Sequence, residues 1–308
     1  MTTLLYTHPA CLDHDPGPHH PERPDRLRAV LAALGAPAFA DLDRREAPAA
    51  APETIALAHD RAYVDAVLAA VPESGHVQLD PDTALSPGSG AAATRAAGAL
   101  CAAVDAVVAG VGDNAFCAVR PPGHHAERAR AMGFCLFNNV VIGALRARAA
   151  HGIERVAVVD FDVHHGNGTQ AAFAADADAF FASTHQWPYY PGTGGADERG
   201  VGNIVNVPLA AGSGGVEFRR AMSETILPAL AAFAPEMVFV SAGFDAHAND
   251  PLAGLRLVED DYAWVTTEIL RVAADCCAGR VVSTLEGGYD LDALAASAAA
   301  HVAALMAA

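Results

Sequence analysis

Two aspartates and two histidines follow an apolar run in VVDFDVHHGNGTQ, residues 158–170. Asp162 and His164 are two residues apart, and in an extended segment this spacing puts both side chains on one face. Asp245 ends a second apolar run, MVFVSAGFD. Two carboxylates and one imidazole suit a divalent ion such as zinc with a position left for water, which is the arrangement that hydrolysis needs. Asp162 and His164 could instead cap the next helix, but the second strand ending in Asp245 favours the metal site.

Hydrolysis also needs a base for the water proton and an acid for the leaving group, and histidine serves both near neutral pH. His124 and His125 form a tandem after RPPG. Asp160 lies two residues before Asp162, on the same strand face, and could hold one of these histidines. Tyr289 follows two glycines after VVSTLE and could donate to an oxyanion. In isolation, an ordinary surface tyrosine would look the same.

The elements that position these residues follow from the hydrophobic pattern. Short β-branched runs alternate with alanine- and leucine-rich segments, which predicts an α/β fold with a mostly parallel sheet and helices on both faces. Ligands of such sheets bind beyond the carboxyl ends of the strands. Predicted strands cover residues 4–8, 115–120, 155–162, 179–184, 203–209, 237–245 and 280–289. Predicted helices cover 24–35, 54–71, 90–110, 138–152, 215–233, 258–277 and 293–308, and 71–90 and 185–202 are predicted loops.

Composition limits the class of protein. The 308 residues are 52% hydrophobic and 18% charged, which indicates a globular chain, and no linker divides it, so one domain over residues 1–308 is predicted. The net charge of −17 argues against a nucleic-acid partner and is compatible with cationic substrates, although it also provides solubility. All 19 basic residues are arginine, and the composition is typical of a GC-rich bacterial genome. The oligomeric state stays open.

The six cysteines and the two ends of the chain bear on its location. The cysteines show no C-x-x-C spacing, which predicts reduced thiols in a cytoplasmic protein. The first ten residues lack the pattern of a signal peptide. The alanine-rich C-terminal stretch is too short for a membrane span, so we expect a packed helix there and no membrane partner.

Seven motifs occur in order along most of the chain: HPERPDRL, RPPGHH, GFCLFNN, DFDVHHGNGTQ, YYPGTG, SAGFDAH and LEGGY. This set resembles the histone deacetylase / acetylpolyamine amidohydrolase family, in its class II-like branch. The resemblance implies an arginase-like, three-layer α/β fold whose central sheet has about eight strands. It also implies a zinc-dependent deacetylase that hydrolyses a linear amide, removing acetyl or other small acyl groups from acyl-lysine side chains by attack of an activated water.

The resemblance assigns roles by position. The ligands of one catalytic zinc ion would be Asp162, His164 and Asp245. His125 would be the general base and then the general acid, and His124 would be its electrostatic partner. Asp160 would hydrogen-bond to His124, and Tyr289 would donate to the oxyanion. The Gly133 carbonyl would accept the substrate amide N–H, and Phe134 and Tyr190 would form the walls of the substrate tunnel. Leu252 would lie at the rim of the tunnel, and Arg23 would line an internal channel beneath the metal. A structural potassium ion would bind main-chain oxygens around Asp160, Asp162, His164 and Ser183.

Two positions depart from the commoner pattern of the family. Asn167 stands where the class I-like branch has an aspartate beside the second histidine. Without that carboxylate the pKa of His125 should be lower, which favours a neutral base at pH 7. Tyr190 stands where phenylalanine is commoner, and its hydroxyl could narrow the tunnel or contact a polar acyl group.

Other functions can be weighed against these residues. Arginase-like ureohydrolases hold two manganese ions with D-x-H-x-D and D-x-D at these strand ends, where this chain has Gly166 and Gly243. A catalytically idle, zinc-holding binding module would typically have lost a ligand, a histidine or the tyrosine. His165 should point away from His164 and be structural. His247 forms a second D-x-H with Asp245 and is a conceivable ligand, although the family does not use that position.

The substrate is the least determined point. An acetylated lysine peptide or protein is favoured, because Leu252 is apolar where a glutamate would favour polyamines. Asp80 and Asp82 could supply charge at the rim, so hydrolysis of an acetylated polyamine is the alternative.

Overall fold

The computed structural model describes residues 2–308 and contains ten strands. They are β1 (Thr3–Thr7), β2 (Asp43–Glu46), β3 (Val77–Asp80), β4 (Thr83–Leu85), β5 (Asn114–Cys117), β6 (Val156–Asp160), β7 (Ala179–Gln186), β8 (Ile204–Leu209), β9 (Met237–Ala242) and β10 (Val281–Leu285). Eight of them form one parallel sheet in the order β2-β1-β5-β10-β9-β6-β7-β8. The predicted eight-stranded parallel sheet is therefore confirmed.

The middle of this sheet is covered on both faces. Every residue of β5, β6, β7, β9 and β10 is buried, as expected of parallel strands between helix layers. All seven predicted strands are present. The eighth, β2, was missed because its sequence, DRRE, has no apolar run. It lies at the edge of the sheet beside β1, where charged side chains reach water and discourage further pairing.

Helices form the two outer layers. They are α1 (Pro24–Ala33), α2 (Pro52–Ile55), α3 (Arg61–Ala69), α4 (Ser89–Val108), α5 (Asn139–His151), α6 (Asn167–Phe173), α7 (Gly215–Ala221), α8 (Leu227–Phe233), α9 (Glu259–Cys277) and α10 (Leu291–Met306). α4 and α5 pack on each other and against the central strands. α10 packs on α1 and α9 and forms a second group. The three-layer α/β prediction is confirmed, and the C-terminal stretch is the packed helix α10.

Two local predictions need correction. The helix predicted over 54–71 is split into α2 and α3, because the ring of His59 turns inward to bind the Glu127 carbonyl and the Asn138 N–H. The loop predicted over 71–90 contains an antiparallel hairpin of β3 and β4. The short helix α6 over residues 167–173 was not among the predicted elements.

α4 has the length and apolar composition of a membrane-spanning helix. In the fold 67% of its most apolar 18-residue segment is buried. The helix packs against α5, β5 and β10. Length and composition alone do not distinguish this core helix from a membrane span.

Candidate active site

Four neighbouring strands deliver the polar residues of the site. β5 leads to the His124–His125 tandem, β6 ends in Asp160, β9 leads to Asp245, and β10 leads to Tyr289. Because β5, β10, β9 and β6 are adjacent and parallel, their carboxyl ends meet at one edge of the sheet, where ligands bind in open α/β sheets. The sequence placed these residues on one rim, and the structure confirms it.

Asp162, His164 and Asp245 form a buried cluster whose ligand atoms all lie within 4.8 Å of one another. His164 Nδ1 lies 3.1 Å from Asp162 Oδ1 and 3.1 Å from Asp245 Oδ2. Backbone N–H groups hold both carboxylates: that of Gly287 donates to Asp162 Oδ2 at 2.8 Å, and that of Val163 donates to Asp245 Oδ1 at 2.8 Å. Among residues 2–308 no other three or more His, Cys, Asp or Glu side chains bring their ligand atoms this close together.

The charges of this cluster call for a cation. Burial, then the charge of Asp162, raises the pKa of Asp245 to about 7. The pKa of His164 rises to about 10 because contact with both carboxylates outweighs burial. Two carboxylates are thus held together away from water, where they are stable only with positive charge beside them. A borderline divalent ion that takes nitrogen and oxygen ligands fits this donor set.

His124 is held as the cationic member of the histidine tandem. Its Nδ1 donates to Asp160 Oδ2 at 2.9 Å, and its Nε2 lies 3.8 Å from Asp162 Oδ2. Burial alone would lower its pKa, but the charges of Asp160 and Asp162 raise it to about 10. The two carboxylates thus favour the protonated form of His124, which is paired with the fully buried Asp160.

His125 has the opposite character. Its Nδ1 lies 2.8 Å from Asn167 Oδ1. Burial, followed by the positive charges of His124 and His164, lowers its pKa well below the ordinary value. The direction agrees with the prediction, and its causes are burial and the two neighbouring histidines, whereas the hydrogen bond with Asn167 opposes the shift. A neutral imidazole next to the metal cluster can accept a proton.

A narrow pocket of about 170 Å³ opens above the cluster. Phe134 and Tyr190 stand in its walls: the Phe134 ring is 6.0 Å from that of Tyr289, and the Tyr190 ring is 5.3 Å from that of His125. Both Gly133 and Phe134 have positive φ angles. Their N–H groups donate to Asp82 Oδ1 and Thr83 Oγ1 of the β3–β4 hairpin. The lining residues are Asp82, His125, Gly133, Phe134, His164, Tyr190, Leu252 and Tyr289.

The channel arginine was assigned to the wrong residue. Arg23 is 48% exposed and pairs with Asp25. Arg26 is buried instead: its guanidinium donates to the carbonyls of Gly288 and Glu286 and lies 4.8 Å from the centre of the Tyr289 ring. The difference follows from where the helix begins, since Arg23 precedes α1 in extended backbone whereas Arg26 lies on the buried face of α1.

Two carboxylates of the site were not predicted. Glu286 Oε2 accepts from the N–H groups of Gly123 and His124 at 2.6 and 3.2 Å, and burial raises its pKa to about 7. Asp250 accepts from the N–H groups of Tyr289 and Leu252. An acidic residue directly after the apolar run VVSTL was the available signal for Glu286, whereas nothing in the local sequence distinguishes Asp250.

The remaining polar residues lie outside the metal cluster. His165 binds Thr193 Oγ1 and Gln170 Oε1, which is a structural role as predicted. His247 Nδ1 accepts from the Asn249 N–H, and its other nitrogen points toward Glu259 at 3.6 Å. At the rim, the Asp80 carboxylate is paired with Arg130 at 3.1 Å, while Asp82 lines the pocket.

Comparison with known proteins gives the same result throughout the chain. A family model described as histone deacetylase domain matches residues 20–305. The chain is 40% identical to histone deacetylase 14, chloroplastic, of Arabidopsis thaliana, over 98% of this chain and 76% of that protein. It is 39% identical to the histone deacetylase-like amidohydrolase of Pseudomonas aeruginosa, over 93% and 81% respectively. The crystal structure of the HDA15 HD domain superposes with a TM-score of 0.93 at 36% identity, covering 99% of this chain and 88% of that one.

The chain therefore belongs to the histone deacetylase family, and its fold is the arginase/deacetylase-like α/β fold. Family membership makes it an amidohydrolase of the deacetylase type, which acts on acetylated substrates.

Proposed function

We propose that this amidohydrolase is a zinc-dependent deacylase that removes acetyl or another small acyl group from acyl-lysine side chains. The observation that carries the proposal is the position of the Asp162–His164–Asp245 cluster, with His164 in the floor of a narrow pocket whose walls include His125 and Tyr289. The three residues would hold one zinc ion. When bound, zinc lowers the pKa of a water and polarises the amide carbonyl.

The other residues of the site divide the proton transfers. His125, neutral at pH 7, takes the water proton at Nε2 and then gives it to the leaving lysine nitrogen. The cation of His124 and its Asp160 partner supply a fixed charge behind the reacting atoms. Tyr289 donates its hydroxyl to the oxygen that becomes negative in the tetrahedral intermediate. The Gly133 carbonyl, in the pocket wall, accepts the substrate amide N–H.

The dimensions of the pocket support a thin, linear substrate. Two aromatic side chains and Leu252 surround it, as the methylene stem of an acylated lysine requires. Asp82 favours the alternative, an acetylpolyamine amidohydrolase, since its carboxylate could bind the free ammonium group of such a substrate at the mouth. The relative named histone deacetylase-like amidohydrolase leaves both substrates open.

The first experiment compares kcat/KM for an acetyl-lysine peptide and N-acetylputrescine on the zinc-loaded protein. We expect the peptide to be preferred by more than about tenfold, or roughly 1.4 kcal/mol of transition-state discrimination. The reverse preference would overturn the acyl-lysine proposal and support the polyamine one. Leu252→Glu should shift the ratio toward N-acetylputrescine, whereas its uncharged control Leu252→Gln should not.

Metal dependence separates the enzyme from an idle zinc-holding module. Chelation should abolish turnover of the acetyl-lysine peptide, and stoichiometric Zn²⁺ should restore it. Because a metal that binds only the folded state stabilises it, the chelated protein should also melt at a lower temperature. Zinc binding with a stabilised fold but no turnover of any acyl-amide would support the module.

The finer predictions of the sequence complete the proposal. A structural K⁺ near Asp160, Asp162, His164 and Ser183 stays a prediction, which the dependence of thermal stability on KCl against NaCl would test. One domain over residues 1–308, a cytoplasmic location and a bacterial origin also stay predictions, as do acetylated lysine or polyamine as the partner and the exclusion of nucleic acid and membrane.

A further inference from the structure

Glu127 lies two residues after the histidine tandem, and its carboxylate points at Asn167. The distance from Asn167 Nδ2 to Glu127 Oε1 is 2.8 Å, and Asn167 Oδ1 lies 2.8 Å from His125 Nδ1. The arginines that follow Glu127 in the sequence, Arg128 and Arg130, pair instead with Asp60 and Asp80. The half-buried Glu127 carboxylate is thereby left to its contact with Asn167.

The chemistry of these three side chains gives the chain of hydrogen bonds one direction. An ionised carboxylate only accepts hydrogen bonds. The end of Asn167 that faces Glu127 must therefore be its NH₂ group, which leaves Oδ1 facing His125. The two further contacts of Nδ2, with the His125 carbonyl and Met132 Sδ at 3.4 Å each, are also with acceptors.

This direction decides which ring nitrogen of His125 carries hydrogen. Since Asn167 presents an oxygen to it, Nδ1 carries the hydrogen and Nε2 keeps its lone pair. An asparagine alone could not enforce this, because its two ends are nearly the same in shape and the amide can turn over. A turned amide would present NH₂ to Nδ1, put the hydrogen on Nε2 and remove the base.

We propose that Glu127 is a positioning residue that fixes the orientation of the Asn167 amide and, through it, the tautomer of His125. This inference rests on the proposed role of His125 as the general base. An aspartate at position 167 would need no such help, because both of its oxygens accept. Glu127 thus replaces that function in a chain that carries asparagine there.

The kcat of Glu127 variants should decrease as the new side chain loses its ability to accept a hydrogen bond. Glu127→Gln keeps an acceptor and should stay within about fivefold of the wild-type kcat. Glu127→Met keeps the length of the side chain but has no comparable acceptor, so its kcat should be lower than that of Glu127→Gln. Glu127→Lys offers only donors, turns the amide over, and should lower kcat by about 10²-fold or more with little change in KM, because general-base catalysis contributes about 10²–10⁴.

The matched rescue is the double variant Glu127→Lys with Asn167→Asp. A carboxylate at position 167 accepts from both the new ammonium group and His125 Nδ1–H. The double variant should therefore recover at least about tenfold in kcat over Glu127→Lys, since it restores the general-base contribution. If Glu127 only stabilised the loop, Glu127→Lys would lose activity in parallel with its melting temperature, and Asn167→Asp would not restore it.

The imidazole ¹⁵N shifts of the metal-free protein report the tautomer without any turnover. We expect the hydrogen on His125 Nδ1 in the wild type and on Nε2 in Glu127→Lys. If the lysine variant does not fold, Glu127→Met replaces it, and we expect a mixture of the two tautomers there. An unchanged tautomer in both variants would overturn the inference. The tautomer could also switch in a protein whose wild type hydrolyses no acyl-amide. That result would support the positioning role of Glu127 and contradict the proposed deacylase function.

Discussion

The hydroxyl of Tyr289 can be tested apart from its ring. The ring is held against Arg26, and the backbone N–H of Tyr289 is bound to Asp250, so Tyr289→Phe should keep its place in the pocket wall. Loss of one oxyanion donor should lower kcat by about 10²–10³ with little change in KM. Steady-state kinetics on the acetyl-lysine peptide measure this.

The matched control is Tyr6→Phe, whose hydroxyl binds the Ala102 carbonyl away from the pocket. It should lower the melting temperature slightly and leave kcat unchanged. If Tyr289→Phe kept more than a tenth of the wild-type kcat, the oxyanion role would be wrong.

Single residues show where matching a motif to a position stops being sufficient. The motif HPER led to Arg23, yet the arginine under Tyr289 is Arg26. Glu22, on the buried side, accepts hydrogen bonds from both Arg26 and Arg120. Which of the two arginines points inward depends on where α1 begins: Arg23 precedes the helix in extended backbone, whereas Arg26 lies on the buried face of the helix.

At the scale of the elements, the strand ends have room for the carboxylates only because glycines adjoin them. A Cβ at Gly243 would lie 2.1 Å from Asp162 Oδ2, and one at Gly287 would lie 2.0 Å from Asp245 Oδ2. The same crowding disfavours the additional carboxylate that a two-manganese ureohydrolase would need at position 243.

Gly243→Ala should therefore displace Asp162 and weaken zinc binding by at least about tenfold, on the scale of other changes that disturb the ligands of a metal site. Isothermal titration of the metal-free protein with Zn²⁺ measures the loss. Gly214→Ala is the control, since a Cβ there lies at an ordinary 3.4 Å from its nearest neighbour. Equal zinc affinity in the two variants would contradict the steric account.

The elements that the sequence missed owe their structure to neighbours. β2 has no apolar run, and it becomes a strand because β1 offers it a free edge. The β3–β4 hairpin lies in a loop-like stretch, and its Asp82 and Thr83 hold the backbone of Gly133 and Phe134. Hydrophobic periodicity reports burial, so it does not detect segments ordered by backbone pairing.

At the scale of the whole molecule, several histidines are buried in the neutral form. Burial lowers the pKa of His301 to about 3 and, despite hydrogen bonds that oppose the change, lowers those of His59 and His185 to about 4. Each binds a proton more readily in the unfolded chain, where the pKa is about 6.5. Their contribution to stability is thus complete above about pH 6.5 and is lost as the pH falls toward 4, at roughly 3 kcal/mol per group.

Three such groups equal much of the stability of a typical domain, so we expect cooperative unfolding in mild acid. Melting temperatures between pH 7 and pH 4.5 measure it. His301→Gln, in the core between Thr266 and Ser283, should melt lower at pH 7 but lose less on acidification. His19→Gln, at an exposed position, should follow the wild type. A His301→Gln slope equal to that of the wild type would contradict the assignment.

The sequence by itself determined the α/β class, the parallel strands, the rim at which they end and the motifs that identify the family, because all of these follow from local periodicity and from residues in fixed order. Tertiary structure alone decided that Arg26 lies under Tyr289, that Glu286 and Asp250 bind the backbone of the site, and that Glu127 reaches Asn167. Such contacts join positions up to hundreds of residues apart. They depend on helix phase and strand order, which no local pattern in the sequence records.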